Sequence, residues 1–212
     1  MNKFKASKKE KIIVFGGSFN PLSKAHGDLI HLLINNYKPD RFILLPSSDE
    51  FIKEKKHFQE EDIIPLNKRL KVLNEFNKRN RKIEIELIEI NNPIFKTYDS
   101  LMFLKNKYKD SDIYFALGSE KLINLHNRYK INELLKYFKF IVLKRSEVSE
   151  SVNNLNREEI VLNNKSSFIL FNFNKDLHDI SSTKIRELIK NKDYKALNRF
   201  TYKYVINELL KD

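Results

Sequence analysis

The stretch KIIVFGGSFNPLSKAHGDLIHLLINNY, residues 11–37, opens with an apolar run that reaches residue 19 and carries two glycines near its end. Between 24 and 37, Leu29, Ile30, Leu32, Leu33 and Ile34 recur at helical spacing. A strand, a tight loop and a helix follow from that pattern. RFILLPSS at 41–48 gives a second strand stopped by Pro46, and KIEIELIEI at 82–90 alternates as a third. IYFAL at 113–117, FKFIVLKR at 138–145 and SFILFNF at 167–173 read as further buried strands. Helices are expected between them at about 65–79, 98–108 and 131–137, and the end of the chain, 181–210, reads as helical. Strands that alternate with helices imply an α/β fold: a Rossmann-like open parallel sheet with helices on both faces and C-terminal helices. Residues 49–64 are charged and irregular and read as a mobile loop; residues 146–165 are polar and read as a surface connection.

A chain of 212 residues fits one domain, taken here as 1–212, and can enclose one substantial core. A formal charge of +12 admits a nucleic acid, a membrane surface or a small anionic substrate. The lysines are spread along the whole chain rather than gathered in a patch, and most aromatic residues lie in apolar runs expected to be core, which argues against a nucleic-acid partner. Zero cysteines exclude a disulfide framework and a thiolate metal site. The basic start MNKFKASKKEK leads into IIVF and glycines rather than a long apolar segment, so neither a signal peptide nor a membrane span is read and a cytoplasmic location is expected. A homo-oligomer stays open.

In an open parallel sheet, ligands bind beyond the C-terminal ends of the strands, and four segments fall there. GGSFNPLSKAHG, 16–27, holds three of the four glycines of the chain. Gly16 and Gly17 would let the backbone turn tightly beside a helix N-terminus suited to phosphate, with His26 about one turn in; a plain turn beside a core histidine is the alternative. Lys53, Lys55, Lys56 and His57 form a basic loop that either reaches a ligand or is merely solvated. Thr97 opens the helix of TYDSL, 97–101, as a ligand contact or only as its N-cap. In DISSTKIRE, 179–187, Ser181, Ser182 or Thr183 caps a helix whose first turn carries Lys184 and Arg186. Cations there oppose the helix dipole, and a bound polyphosphate would account for them.

GGSFNPLSKAH together with ISSTKIR resembles the paired signatures of the nucleotidylyltransferase superfamily, GxFxPxHxGH and SSTxIR, and especially the bacterial nicotinate-nucleotide adenylyltransferases. TYDSL and LGSEKL are similar to that family's T-x-D-T-L and G-x-D-x-L segments, so the resemblance spans nearly the whole chain. It implies an enzyme that joins ATP to nicotinate or nicotinamide mononucleotide, in NAD biosynthesis, with Mg²⁺ accompanying ATP and no residue nominated as a metal ligand. Carried over by position, Gly17, Ser18 and Phe19 match the loop that holds phosphates, and His26 matches the second motif histidine. Ser182, Thr183 and Arg186 match the segment that grips the ATP phosphates. Gly118 and Glu120 fall near the nucleoside, and Thr97 falls near the pyridine substituent. Ser23 stands where the first motif histidine is usual, with a hydroxyl still able to donate, and Ala25 replaces a glycine. The family's P-P-H-K loop is absent, leaving Lys53, Lys55 or Lys56 to supply its lysine. Arg128 occupies the position of an aromatic residue expected to stack on the pyridine, with Tyr129 beside it. The same machinery serves pantetheine-phosphate adenylyltransferases and cytidylyltransferases, and a non-catalytic RNA- or nucleotide-binding protein is the alternative from another class.

Overall fold

The computed structural model describes residues 8–56, 58–92, 96–122, 129–144, 163–172 and 179–211. Among them are six strands: β1 (Glu10–Gly17), β2 (Arg41–Pro46), β3 (Ile83–Ile85), β4 (Ser111–Gly118), β5 (Lys139–Lys144) and β6 (Phe168–Asn172). They form one sheet in the order β3-β2-β1-β4-β5-β6, and every neighbouring pair is parallel. The helices are α1 (Lys24–Tyr37), α2 (Asp49–Lys56), α3 (Leu66–Lys78), α4 (Ile88–Asn91), α5 (Thr97–Lys107), α6 (Ile131–Tyr137), α7 (Ser182–Lys190), α8 (Leu197–Phe200) and α9 (Lys203–Leu209). None is long and apolar enough to cross a membrane among the described residues.

Alternation along the strands divides the core. Ile12, Val14, Ile43, Leu45, Phe140 and Val142 face Leu101 and Leu104 of α5 and Leu134 and Leu135 of α6. Ile13, Phe15, Phe42, Leu44, Ile141 and Leu143 face Ile30 and Leu33 of α1, Val72, Leu73 and Phe76 of α3, and Val205 of α9. Both faces are covered, which is why the central strands read as continuous apolar runs. The strand order reverses direction between β1 and β4, so a crevice opens beyond their C-terminal ends.

The expected parallel α/β sheet is present, with differences in three segments. Residues 49–64 are not an irregular loop: Ser48 accepts the Phe51 N–H through its Oγ at 3.1 Å and starts α2, whose first turn holds Asp49 and Glu50 where acids suit the dipole. A 3₁₀ turn follows at Glu60–Asp62. The alternation over 82–90 yields only three residues of strand, since β3 is an edge. The chain then turns helical, with Ile88 packed against the α5–α6 side of the core and Glu89 receiving the Ser100 hydroxyl. In the first loop the left-handed residue is Phe19, φ 44°, not a glycine; Gly16 and Gly17 remain in β1, paired with Leu45 and Pro46. Phe19 is buried, its ring edge-on to Phe15 at 6.0 Å, and that packing offsets the backbone cost. Residues 145–162, most of the polar connection, lie outside the described residues.

The C-terminal helices form a small core of their own, Ile185, Leu188, Leu197, Phe200 and Ile206, and press on the start of α1. A Cβ on Gly27 would come within 1.9 Å of the Tyr202 hydroxyl, so only glycine lets the two segments approach this closely. Nearby, the buried Thr201 Oγ1 donates to the Leu22 carbonyl at 2.7 Å. Thr201→Val keeps the shape and removes the donor. Its expected cost is about 1 kcal/mol, read as a small fall in the midpoint of denaturant unfolding at constant m-value.

Candidate active site

Ser23 is the N-cap of α1, extended in backbone and 1% exposed. Its Oγ accepts the His26 N–H at 3.3 Å, and its own N–H donates to His26 Nδ1 at 3.1 Å. The Ser23 hydroxyl also lies 2.9 Å from Nδ1. An Nδ1 that accepts from a backbone N–H leaves the proton of the neutral ring on Nε2. His26 thus holds a fixed orientation with Nε2 as a donor, and its ring rests against Phe19 and Phe15 at 5.3 and 6.3 Å between centroids. The departure at position 23 has a local meaning: the serine caps the helix and aims the remaining histidine.

The two signature segments, some 160 residues apart, meet directly. Ser181 Oγ accepts from the Lys184 N–H and caps α7. Ser182 Oγ donates to the Pro21 carbonyl at 2.7 Å. Arg186 donates through Nη1 to the Asn20 carbonyl at 2.7 Å and through Nη2 to Thr183 Oγ1 at 3.2 Å, while its guanidinium lies 4.6 Å from the Phe58 ring centroid. Asn20, fully buried, clamps the segment before α3: its Nδ2 donates to the Asp62 carbonyl and its Oδ1 accepts from the Ile64 N–H, both at 2.8 Å. Lys190 of α7 pairs with Asp62 at 2.6 Å. Gly17, Ser18, Phe19, His26, Ser182, Thr183 and Arg186 are therefore brought together at the loop that follows β1. A Cβ on Gly17 would meet nothing closer than the Phe19 ring at 3.4 Å, so the protein itself leaves room there.

Of the remaining nominated residues, Lys53, Thr97 and Gly118 lie on other elements and Tyr129 precedes α6. Lys53, on α2, pairs with Glu60 at 2.9 Å, which raises the pKa of the amine; the side chains of Lys55 and Lys56 and all of His57 lie outside the described residues. Gly118 ends β4 opposite Leu143. Glu120 falls in a 3₁₀ turn, Ser119–Leu122, but its side chain lies outside the described residues, as does Arg128. Thr97 is the first residue of α5 rather than its cap; Lys96 takes the cap position, and its N–H donates to Asp99 Oδ2 at 2.9 Å. Tyr129, 46% exposed, stands edge-on to Tyr98 at 5.8 Å, with Lys96 Nζ 4.3 Å from its ring centroid and Lys130 Nζ 4.6 Å from that of Tyr98. Two aromatic faces and two ammonium groups thus gather beside the start of α5 and of α6. No group of three or more histidines and carboxylates able to hold a metal occurs among the described residues.

Arg69 and Glu89, like Asn20, were not nominated from the sequence. Arg69 lies on the buried face of α3, at i−3, i−4 and i−7 from Val72, Leu73 and Phe76, and a cation at an apolar position was the available signal. Glu89, in the first turn of α4, accepts from Ser100 Oγ at 3.0 Å. Burial raises its pKa to about 7, against a smaller lowering by that hydrogen bond. The folded state therefore holds a proton that the unfolded chain has released between the ordinary carboxylate range and pH 7, so stability falls as pH rises through that window. Glu89→Gln is expected to leave the melting temperature unchanged at pH 5 and to raise it above wild type at pH 8. Equal melting curves at both pH values would remove the buried proton from the account.

The geometry can be set beside known proteins. The cytidylyltransferase-like family model matches residues 14–188. A Fusobacterium nucleatum protein named probable nicotinate-nucleotide adenylyltransferase is 34% identical over 185 residues, 86% of this chain and 89% of its own length. A Clostridium acetobutylicum protein of the same name is 32% identical over 186 residues, 87% and 90% of the two chains. Among solved structures, the Plasmodium falciparum nicotinic acid mononucleotide adenylyltransferase complexed with NaAD superposes with a TM-score of 0.74 at 18% identity, covering 95% of each chain. The same enzyme complexed with APC gives 0.74 at 19% identity, covering 95% of this chain and 94% of that one. These superpositions carry the fold, and the sequence relatives carry the membership. With both signatures joined through Ser182 and Pro21 and through Arg186 and Asn20, the chain belongs to the cytidylyltransferase-like family and, within it, to the nicotinate-nucleotide adenylyltransferases.

Proposed function

We propose that the protein transfers the adenylyl group of ATP to nicotinate mononucleotide in the crevice at the end of β1, releasing pyrophosphate and forming the dinucleotide precursor of NAD. An oxygen of the mononucleotide phosphate attacks the α-phosphorus; the bond from that phosphorus to the bridging oxygen of pyrophosphate breaks, and the electron pair leaves with it. The nucleophile is already ionised, so no protein base is required, and the task of the protein is to position two anions and stabilise charge. His26 Nε2–H donates to an α-phosphoryl oxygen as charge accumulates there. Arg186, a fixed cation, faces the leaving phosphates. Mg²⁺ arrives with ATP as part of the substrate, in keeping with the preference of this ion for phosphate oxygens and water over an all-protein cage. The reaction is placed in the cytoplasm, where ATP is available.

The observation that supports this reading most is the junction of the two signatures through Arg186 and the Asn20 carbonyl, which ties a cation on α7 to the loop that leads into α1 and its oriented histidine donor. The test is incubation with ATP, Mg²⁺ and, separately, nicotinate mononucleotide, nicotinamide mononucleotide and phosphopantetheine, with product masses identified. The expected result is a dinucleotide from nicotinate mononucleotide. Turnover of phosphopantetheine alone would reassign the acceptor, and salt-dependent RNA binding without turnover would replace the enzyme by a binding protein.

A further inference from the structure

Arg69 is 1% exposed, and its guanidinium ties together four neighbouring segments. Nε donates to the Ile64 carbonyl at 3.1 Å, Nη1 to the Ser18 carbonyl at 2.7 Å and the Ser47 carbonyl at 3.0 Å, and Nη2 pairs with Asp49 Oδ1. These acceptors belong to the loop after β1, the end of β2, the approach to α3 and the first turn of α2. A cation held away from water is a costly way to fill a place that an aliphatic side chain would fill among Val72, Leu73 and Phe76. What an aliphatic side chain would lack is direction.

A peptide unit is planar and trans, so a carbonyl and the following N–H point to opposite sides. Arg69 draws the Ser18 carbonyl inward; the Phe19 N–H is then turned outward, away from the guanidinium. The Ser47 N–H donates to the Gly17 carbonyl at 3.0 Å, so the end of β2 is tied to the same loop from its other side. The left-handed backbone of Phe19 gives this turn a second reason to relax if the inward pull is released.

We propose that Arg69 is a positioning residue for adenylyl transfer: it holds the Ser18–Phe19 peptide so that the Phe19 N–H is presented to a substrate phosphate. Through Asp49 it also fixes α2, which carries Lys53. A lysine at this position would keep the charge yet lose the planar fork that reaches carbonyls in different directions. The inference rests on the proposed reading of the loop as a phosphate site.

The test compares wild type with Arg69→Lys at a temperature well below both unfolding midpoints, and also follows the Phe19 amide of wild type by NMR as α,β-methylene-ATP is added. The variant is expected to lose at least tenfold in kcat per folded molecule and to raise the KM for ATP, and the Phe19 amide proton should move downfield on binding. A variant with wild-type kcat and KM and only a lowered midpoint would reduce Arg69 to a structural residue and overturn the proposal. So would a Phe19 amide that stays in place while other amides of the crevice shift, a result available even if the variant does not fold. If the nucleotide shifts no amide and wild type forms no dinucleotide, the reading of the site itself fails.

Discussion

His26→Ala is expected to lower kcat by roughly 10²–10³ while the KM for ATP moves little, because a donor aimed at a developing charge costs about 2.7–4 kcal/mol when removed. The geometry adds a condition to this expectation. Nδ1 is engaged by the Ser23 N–H, so a substitution that mimics Nδ1 alone retains the cap and loses the donor. His26→Asn, with a short amide that can serve the cap but not reach as Nε2 does, should therefore behave like alanine in turnover and like wild type in stability. Turnover measured under single-cycle conditions separates the chemical step from release, and full activity in either variant would end the role assigned to the ring.

Arg186→Ala is expected to weaken ATP chiefly in binding. A hydrogen bond made by a charged group contributes about 1.5–3 kcal/mol, so the KM for ATP should rise roughly ten- to 150-fold. The guanidinium already binds the Asn20 carbonyl and Thr183 and stacks beside Phe58, which leaves it oriented before ATP arrives. Arg186→Lys keeps the charge without that orientation and should fall between alanine and wild type. An isothermal titration with ATP reads the difference directly, and identical affinities in the three proteins would take Arg186 out of the nucleotide site.

The parts of the molecule that could be read from sequence are those where side chains alone carry the information. Strands such as β1 and β5, buried on both faces, show continuous apolar runs, and α1, α3 and α6 show their buried stripes. Where two periods fit the same letters, the reading failed: KIEIELIEI alternates, yet Ile88 finds its place in a helical turn. Lysine-rich α2 hides its helical character behind charge, although Ser48-Asp49-Glu50 is a start signal. In the site, His26, Ser182, Thr183 and Arg186 were accessible through their motifs. Arg69 and Asn20 were not, because their partners are mostly backbone groups that every residue possesses, and only the fold brings those groups within reach.

The loop that follows β1 is held by early partners such as Arg69, but three further ties come from segments made much later. Pro21 is held by Ser182, Asn20 by Arg186 and Leu22 by Thr201. A growing chain that has just completed β6 at Asn172 possesses every strand of the sheet and none of these three ties. Protein synthesis therefore separates two events, closure of the sheet and completion of these ties, by the time needed to make residues 179–201. Sequence-distant contacts of this kind also carry the larger loop-closure entropy and are expected to form late in refolding. The nascent polypeptide can thus be expected to acquire its architecture before it can handle ATP, with activity arriving as α7 and Thr201 dock.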